Sequence, residues 1–262
     1  MKEGYFKPEL GNRLGAVAGM VNKTDCLADI GCDHGLISIY LVQEGIAERM
    51  LACDINKGPL RGASENVRNS GLEDRIELRL GDGISPVSKG ETSGGILAGM
   101  GGPLGLRILY EGREIVRDWL QAVLSLQSKL PLVRFVLQTW GFETEEEKMV
   151  TEDGKFYSVM RLAPPKDGIF YEEEIENIEE YLKTQEGELK HLPADELCEY
   201  TYGSFLFKTR SAALVAFLEK EEERLLGIME RLERENAAER QKEIVDEIDL
   251  LMLAKWKLKG EA

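Results

Sequence analysis

Short apolar segments typical of strands alternate with helical segments over the first 165 residues, and this alternation restricts the fold more than any other feature of the sequence. The predicted strands are Cys26–Ile30, Arg49–Asp54, Ile76–Arg79, Gly95–Ala98 and Ala122–Leu126. The predicted helices are Gly35–Gln43, Leu60–Asn69, a helix from Pro103 to about Trp119, and Leu130–Thr139. Because parallel strands need crossover connections of this length, the pattern predicts an α/β fold with a mainly parallel sheet.

Two further strand-like segments, Glu147–Glu152 and Lys155–Leu162, lie on either side of the dipeptide Asp153-Gly154. An Asp-Gly dipeptide between such segments is a strong short-range signal for a β-hairpin, because both residues tolerate a positive φ. We therefore expect the parallel sheet to end in an antiparallel hairpin.

The segment Ala163–Gly168 contains two prolines and a glycine and predicts a domain boundary, with one domain over residues 1–165 and another over residues 166–262. From about Thr209 to Leu258, apolar residues recur mostly at spacings of three and four, which is the pattern of a heptad seam. They are Leu214, Leu218, Leu225, Ile228 and Leu232, followed after a polar stretch by Ile244, Ile248 and Leu251. This predicts an antiparallel helix pair, a C-terminal α-helical coiled-coil domain that either caps the first domain or grips a large substrate.

The formal net charge of −15 argues against nucleic-acid binding driven by overall charge. The balance is −4 over residues 1–165 and −11 over residues 166–262, so a local basic patch on the first domain stays compatible with the sequence. The four cysteines form no C-x-x-C pair, which favours buried thiols in a reducing, cytoplasmic location. The sequence predicts no membrane span, no signal peptide and no metal cluster, since the two histidines, His34 and His191, lie far apart.

The segment Asp29–Gly35, Asp-Ile-Gly-Cys-Asp-His-Gly, follows the first predicted strand and opens a helix. Its glycines allow a tight turn and the close approach of a ligand to the backbone. A dinucleotide loop at this place binds a pyrophosphate, which the carboxylates of Asp29 and Asp33 would repel. S-adenosylmethionine has no phosphate and carries an ammonium and a sulfonium, so the acids predict this cofactor instead.

Acidic or glycine-rich turns also follow the next three predicted strands. Asp54 is placed to accept hydrogen bonds from both hydroxyls of a ribose. Asp82, between Gly81 and Gly83, is placed to accept a hydrogen bond from the amino group of an adenine. The segment Ala98–Pro103 holds three glycines in four residues, which allows a planar group to lie against the backbone. Each residue alone is explained by a local cap or by solvation, but together they predict one pocket at the carboxyl ends of the strands.

The chain resembles the TrmK family of bacterial tRNA (adenine-N1)-methyltransferases, which modify adenine at tRNA position 22. The segments that carry the resemblance are Arg13-Leu14, Leu27–Gly35, Asp54–Leu60, Gly81–Gly83, Ala98–Gly102 and Asp153–Tyr157. The resemblance covers roughly residues 10–165. It implies a Rossmann-like class I methyltransferase domain with a C-terminal α-helical coiled-coil domain, S-adenosylmethionine as the cofactor and tRNA as the partner.

Together with the turns above, the resemblance implies a set of site residues. The expected catalytic residues are Gly99, Met100, Gly101 and Gly102. The expected cofactor-binding residues are Arg13, Asp29, Gly31, Cys32, Asp33, His34, Gly35, Asp54, Ile55, Gly81, Asp82, Gly83, Ala98 and Gly99. The expected substrate-binding residues are Gln127, Lys129 and Arg107, with Arg13, Arg61, Arg68 and Arg134 as further basic candidates. We expect His34 to bond locally and not to act as a general base.

Four positions depart from the family pattern and leave other functions open. Leu36 and Ser38 stand where the family commonly has Tyr and Pro, and Ser128-Lys129 stands where it usually has Pro-Asn. One alternative is a methyltransferase that acts on a small molecule or a protein. Another is an interaction protein that binds S-adenosylmethionine with weakened catalysis. A nicotinamide dehydrogenase is disfavoured, because the acids of the first turn oppose a pyrophosphate.

Overall fold

The computed structural model describes residues 5–235 and 237–260. Its strands are β1 (Thr24–Ile30), β2 (Ala47–Asp54), β3 (Ile76–Leu80), β4 (Gly94–Ala98), β5 (Gln121–Ser125), β6 (Glu143–Glu152) and β7 (Lys155–Ala163). Its helices are α1 (Asn12–Met20), α2 (Leu36–Gln43), α3 (Lys57–Ser70), α4 (Gly102–Glu111), α5 (Arg113–Val116), α6 (Leu130–Thr139), α7 (Ile169–Glu172), α8 (Ile178–Leu189), α9 (Ala194–Tyr202), α10 (Ser204–Lys208), α11 (Ala212–Glu235) and α12 (Ala238–Lys259).

Within the described residues the strands form a seven-stranded sheet in the order β3-β2-β1-β4-β5-β7-β6. The first five strands in this order are parallel, whereas β7 pairs antiparallel with both β5 and β6. The predicted Rossmann-like α/β fold and its final hairpin are therefore confirmed. The strand order reverses between β1 and β4, and such a switch point is where open α/β sheets bind ligands, at the carboxyl ends of the strands.

The helix predicted from Pro103 is confirmed at its start, where Pro103 lies in the first turn of α4, but its extension to about Trp119 is wrong, because α4 ends at Glu111 and the four-residue α5 follows Gly112. The backbone of Gly112, at φ −90° and ψ 12°, leaves the helical region. A Cβ there would lie 2.7 Å from Ile84, so the side-chain-free residue lets the chain pass close to this core residue. Helix α1 is not predicted from the sequence, since two of its nine residues, Gly15 and Gly19, are glycines, which have low helix propensity.

Apolar side chains pack on both faces of the sheet. One core cluster holds Trp119, Trp140 and the inward residues of α4 and α6, and the other holds residues of α1, α2 and α3. Phe170, Leu182 and Leu189, which lie beyond residue 165, are buried in the first of these clusters. The segment α7–α8 therefore packs on α4, α5 and α6, the helices that cover this face of the sheet. The division of the chain into residues 1–165 and 166–262 stays a prediction.

The two long helices α11 and α12 pack against each other, as the sequence pattern predicts. The predicted seam residues Leu214, Leu218, Leu225, Ile244 and Leu251 are buried in one apolar cluster, and Ile228, Leu232 and Ile248 pack against it. Ion pairs join Glu222 to Lys255 and Arg224 to Glu247, so residues later in α11 contact residues earlier in α12 and the helices run antiparallel. The term coiled coil for this pair remains a prediction.

Arg134, a candidate substrate contact in the sequence, is instead buried where α6, the hairpin and α9 meet. Its guanidinium donates to Glu147 Oε1 at 2.6 Å and to the carbonyl oxygens of Tyr200 and Thr201 at 2.8 and 3.1 Å. The side chains of Arg134 and Glu147 are 9% and 2% exposed. This ion pair ties the end of α9 to the sheet layer.

Among the helices of the described residues, none has both the length and the apolar character needed to cross a bilayer. All four cysteines lie in the described part of the chain, where each is free and buried.

Candidate active site

A cavity of about 280 Å³ opens at the carboxyl ends of β1 and β4, at the point where the strand order reverses. It brings together nine of the residues that the sequence predicts for the site. They are Arg13, Asp29, Gly31, Cys32, Asp33, His34, Ala98, Gly99 and Gln127. Leu14, Leu36 and Ile37 also line it. Leu14 belongs to the matching segment Arg13-Leu14 and Leu36 is one of the departures from the family pattern, but none of the three is predicted as a site residue, because apolar residues at the start of a helix give no signal of their own.

The turn after β1 has the tight backbone that its glycines predict. Gly31, Asp33 and Gly35 all have a positive φ, of 77°, 50° and 69°. The backbone N–H groups of Gly31 and Cys32 both donate to the carbonyl oxygen of Cys53, at 2.9 and 3.0 Å. The turn is therefore anchored to the end of β2, and its outer surface faces the cavity.

Asp29 is a buried acid on the cavity wall, with 3% of its surface exposed. Burial raises the pKa of its carboxyl to about 6; the hydrogen bond from Ser38 works in the opposite direction, and the negative charge of Asp54 raises the pKa further. Ser38 Oγ donates to Asp29 Oδ2 at 2.6 Å. Ser38, one of the departures from the family pattern, thus stabilises the ionised acid by a hydrogen bond.

Asp54 joins the turns after β1 and β2, although it does not line the cavity directly. Its Oδ2 accepts the backbone N–H of Asp33 at 3.2 Å, and its Oδ1 accepts the backbone N–H of Asn56 at 2.8 Å. An ionised carboxylate has about four lone-pair positions, so each oxygen can accept a further hydrogen bond. Ile55 beside it is 59% exposed.

The turn after β3 lies next to the turn after β2, since the backbone N–H of Gly81 donates to the carbonyl oxygen of Asp54 at 3.0 Å. Asp82 does not line the cavity with Asp29. Its carboxylate is exposed and lies 3.7 Å from the guanidinium of Arg107. The predicted residues Gly35, Asp54, Ile55, Gly81, Asp82 and Gly83 thus form the turns that adjoin the cavity.

The loops after β4 and β5 are bonded to each other and form the opposite wall. The N–H of Gln127 donates to the carbonyl oxygen of Met100 at 2.9 Å, and the N–H of Gly102 donates to Ser128 Oγ at 3.2 Å. At Gly31 a Cβ would lie 3.2 Å from the end of the Met100 side chain, so Met100 reaches across to the first turn. Of the predicted catalytic residues, Gly99 lines the cavity, and Met100, Gly101 and Gly102 continue the same wall.

Arg13 contributes the positive charge of the cavity. Within the described residues its buried Nη1 atom has no hydrogen-bond partner. A Cβ on Gly99, whose φ is +88°, would lie 3.5 Å from this nitrogen. The cavity thus has a carboxylate, Asp29, on the strand side and a guanidinium nitrogen available for an anionic group on the α1 side, which suits a zwitterion.

Most of the predicted substrate contacts outside the cavity are in ion pairs with acids. Lys129 Nζ lies 2.8 Å from Glu186, and Arg68 lies 3.6 Å from Glu73. Arg107 is paired with Asp82, as described above. Only Gln127 of the three expected substrate residues lines the cavity, and Arg61 is exposed on α3.

Residues 10–160 match the model of a family described as a methyltransferase domain. In sequence the chain is 33% identical over 152 residues to the tRNA (adenine(22)-N(1))-methyltransferase of Bacillus subtilis strain 168. This match covers 58% of the chain and 64% of the relative, which is less than two thirds of that protein's length.

Two solved structures extend the likeness over nearly the whole chain. The B. subtilis m1A22 tRNA methyltransferase TrmK matches with a TM-score of 0.73 and 25% identity, covering 94% of this chain and 98% of that one. The Streptococcus pneumoniae protein Sp1610, a candidate tRNA (m1A22) methyltransferase in complex with S-adenosyl-L-methionine, matches with a TM-score of 0.75 and 28% identity. That match covers 94% of this chain and 99% of that chain.

Proposed function

Because the chain belongs to the family of methyltransferase domains and resembles TrmK relatives along nearly its whole length, we propose that it methylates N1 of adenine in tRNA. The methyl donor is S-adenosylmethionine, the expected target is position 22, and the expected location is the cytoplasm. The observation that carries the proposal is that Asp29 and Arg13 line one cavity at the switch point of the sheet, where Arg13 Nη1 has no hydrogen-bond partner among the described residues.

The charged residues around the cavity complement the methionine end and the ribose of this cofactor. The methionine end carries an ammonium and a carboxylate, which suit Asp29 and Arg13 respectively. Asp54 is placed to accept the ribose hydroxyls while it still holds the N–H groups of Asp33 and Asn56. A pyrophosphate would meet Asp29 and Asp33 on the same turn, which supports S-adenosylmethionine over a dinucleotide.

Positioning accounts for most of the catalysis that the protein supplies. The sulfonium of the cofactor supplies a methyl group already activated for in-line displacement. Adenine N1 has an available lone pair at neutral pH, so no residue of the chain needs to remove a proton before attack. The loops at Gly99–Gly102 and Gln127 hold the base edge, and an acceptor there for the N6 amino group raises the electron density at N1. Because N1 lies on the pairing edge, the adenine enters unpaired or flipped out of its stack.

Transfer of labelled methyl groups from S-adenosylmethionine to unmodified tRNA tests this function. We expect one methyl group per tRNA, recovered as 1-methyladenosine at position 22 and absent from a transcript with guanosine there. Labelling of a small molecule or a protein instead would favour the other methyltransferase reading. Binding of S-adenosylhomocysteine without turnover on any tRNA would favour a cofactor-binding interaction protein.

The affinity for S-adenosylhomocysteine is expected to depend on pH through Asp29. The folded-state pKa of about 6 means that below pH 6 a proton must leave Asp29 before it can bind the ammonium. The dissociation constant should therefore rise by about tenfold for each pH unit below 6 and level off above it. Calorimetric titration between pH 5 and 8 measures this. In the Ser38→Ala variant the pH below which the dissociation constant begins to rise should be higher, because the hydrogen bond that favours the ionised acid is lost. A dissociation constant that does not change with pH in either protein would contradict the role of Asp29.

Gly102→Ala should lower the rate of methyl transfer by about a hundredfold, because small displacements of reacting groups have effects of this size. A Cβ at this position would lie 2.3 Å from the carbonyl oxygen of Ser128 and 2.6 Å from Val133, so the loops after β4 and β5 must separate. The turnover number and the affinity for S-adenosylhomocysteine are measured together, and the affinity should change by less than about threefold.

Gly19→Ala on α1 is the matched control, since a Cβ there has open space around it. Its turnover should equal that of the unaltered protein. A Gly102→Ala variant with full activity would show that the spacing of the two loops is unimportant for catalysis.

A further inference from the structure

The motif Asp153–Tyr157 belongs to the family resemblance, yet none of its residues lines the cavity. It forms the turn between β6 and β7 and the first residues of β7. Its contacts with α1 connect it to the site, because α1 carries Arg13.

Three contacts fix the start of α1 on the end of β6. Asn12 Nδ2 donates to the carbonyl oxygen of Thr151 at 2.9 Å, and the backbone N–H of Arg13 donates to Glu152 Oε1 at 3.2 Å. At Gly11 a Cβ would lie 2.2 Å from the same Glu152 oxygen, so the carboxylate fits closely under the helix start. Glu152 thus accepts one of the free N–H groups of the first helical turn, where a negative charge is favourable.

The side chain of Arg13 is held by the next strand of the hairpin. Its guanidinium carbon lies 5.6 Å from the centre of the Tyr157 ring, within the range of a cation–π interaction. Successive residues of a strand point to opposite faces. Phe156 accordingly packs away from Arg13, edge-on against Phe217 of α11 with ring centres 5.4 Å apart.

We propose that Tyr157 and Glu152 are positioning residues for cofactor binding, which hold the Arg13 guanidinium at the carboxylate of the cofactor's methionine end. This inference rests on the proposed function, since it needs a zwitterionic ligand in the cavity. The hairpin fixes Arg13 at both ends, through its backbone N–H and through its guanidinium, while Nη1 stays available for the ligand. Conformational freedom that Arg13 would lose on binding is thereby removed in advance.

Helix α11 of the C-terminal helix pair contacts the turn of the hairpin. Lys220 Nζ donates to the carbonyl oxygen of Gly154 at 2.7 Å and lies over the Phe156 ring, 5.8 Å from its centre. Phe156 and Tyr157 therefore make different contacts from opposite faces of β7. The first contacts α11, and the second contacts the arginine of the cavity.

Two ligands that differ only in the amino-acid end test this proposal by calorimetric titration. S-adenosylhomocysteine carries the carboxylate, and 5′-methylthioadenosine has the same nucleoside without it. Tyr157→Leu should weaken the first ligand by about fivefold, the size of a partly buried cation–π interaction, and leave the second unchanged. Tyr157→Phe keeps the ring and should restore the affinity. Glu152→Ala should act like Tyr157→Leu, and Glu152→Gln, which retains an acceptor oxygen, should not.

Phe156→Leu is the matched control on the opposite face of the same strand, and it should leave the ratio of the two affinities unchanged. Adding Tyr157→Leu to Arg13→Met should cause no further loss of S-adenosylhomocysteine binding, because the ring acts through Arg13. Equal weakening of both ligands by Tyr157→Leu, or a further loss in the double variant, would overturn the proposal while leaving the proposed function intact. An unaltered protein that binds neither ligand would instead overturn the proposed function, and the positioning role with it.

Discussion

Asp54→Ala is expected to remove measurable binding of S-adenosylhomocysteine, a loss of affinity of about a thousandfold. The carboxylate is placed to accept two ribose hydroxyls, and hydrogen bonds to a charged group contribute about 1.5–3 kcal/mol each. Their combined loss corresponds to about two to four orders of magnitude in the dissociation constant. The substitution also removes the acceptor for the N–H groups of Asp33 and Asn56, so the turn after β1 loses its fixed position.

Asp54→Asn separates these two effects. The amide keeps the shape and one acceptor oxygen, so the affinity should fall by an intermediate amount, on the order of ten- to a hundredfold. Calorimetry of both variants, with thermal unfolding to show that they are folded, makes the comparison. An Asp54→Ala variant that is folded and binds as tightly as the unaltered protein would rule out this placement of the ribose.

Arg134→Met is expected to lower the free energy of unfolding by about 3–5 kcal/mol, because it leaves Glu147 buried without its positive partner. Glu147 is 2% exposed, and Ser158 Oγ, at 3.0 Å, would remain as its hydrogen-bond donor. The carbonyl oxygens of Tyr200 and Thr201 would also lose their donor. Urea unfolding measured at pH 7 gives the change.

The double variant Arg134→Met/Glu147→Met is the control. Replacing both members of a buried ion pair by apolar side chains of similar volume is often close to neutral, so most of the lost stability should return. If Arg134→Met is as stable as the unaltered protein but binds tRNA more weakly and with less dependence on salt, Arg134 contacts the substrate, as the sequence predicts, and the structural role is wrong.

The sequence determines the strands and the turns after them through local signals. The apolar runs at Cys26–Ile30 and Ala122–Leu126 and the Asp153-Gly154 turn predict the sheet and its hairpin, which the structure confirms. The glycines and acids of Asp29–Gly35 likewise predict a tight turn, and Asp29 with its neighbours does line the cavity. These features depend on residues close together in the chain, so a single sequence contains them.

Contacts between distant segments could not be predicted in the same way. Arg134 donates to the carbonyl oxygen of Tyr200, 66 positions away, and the packing of α9 on α6 brings the two residues together. The sequence groups Asp82 with the acids of the first turns, but its side chain lies beside Arg107, since the direction of a side chain in a turn depends on the neighbouring helix. The sequence indicates Arg13 through the resemblance and through its basic charge, whereas its contact with Tyr157 depends on a hairpin more than a hundred residues later.

A crystal structure of the protein with S-adenosylhomocysteine tests most directly whether the cavity at the ends of β1 and β4 binds this cofactor. The account predicts the amino group at Asp29, the carboxylate at Arg13, the ribose hydroxyls at Asp54 and the sulfur facing Gly99–Gly102. A ligand bound away from these turns, or a dinucleotide with its pyrophosphate on the Asp29–Gly35 turn, would contradict it.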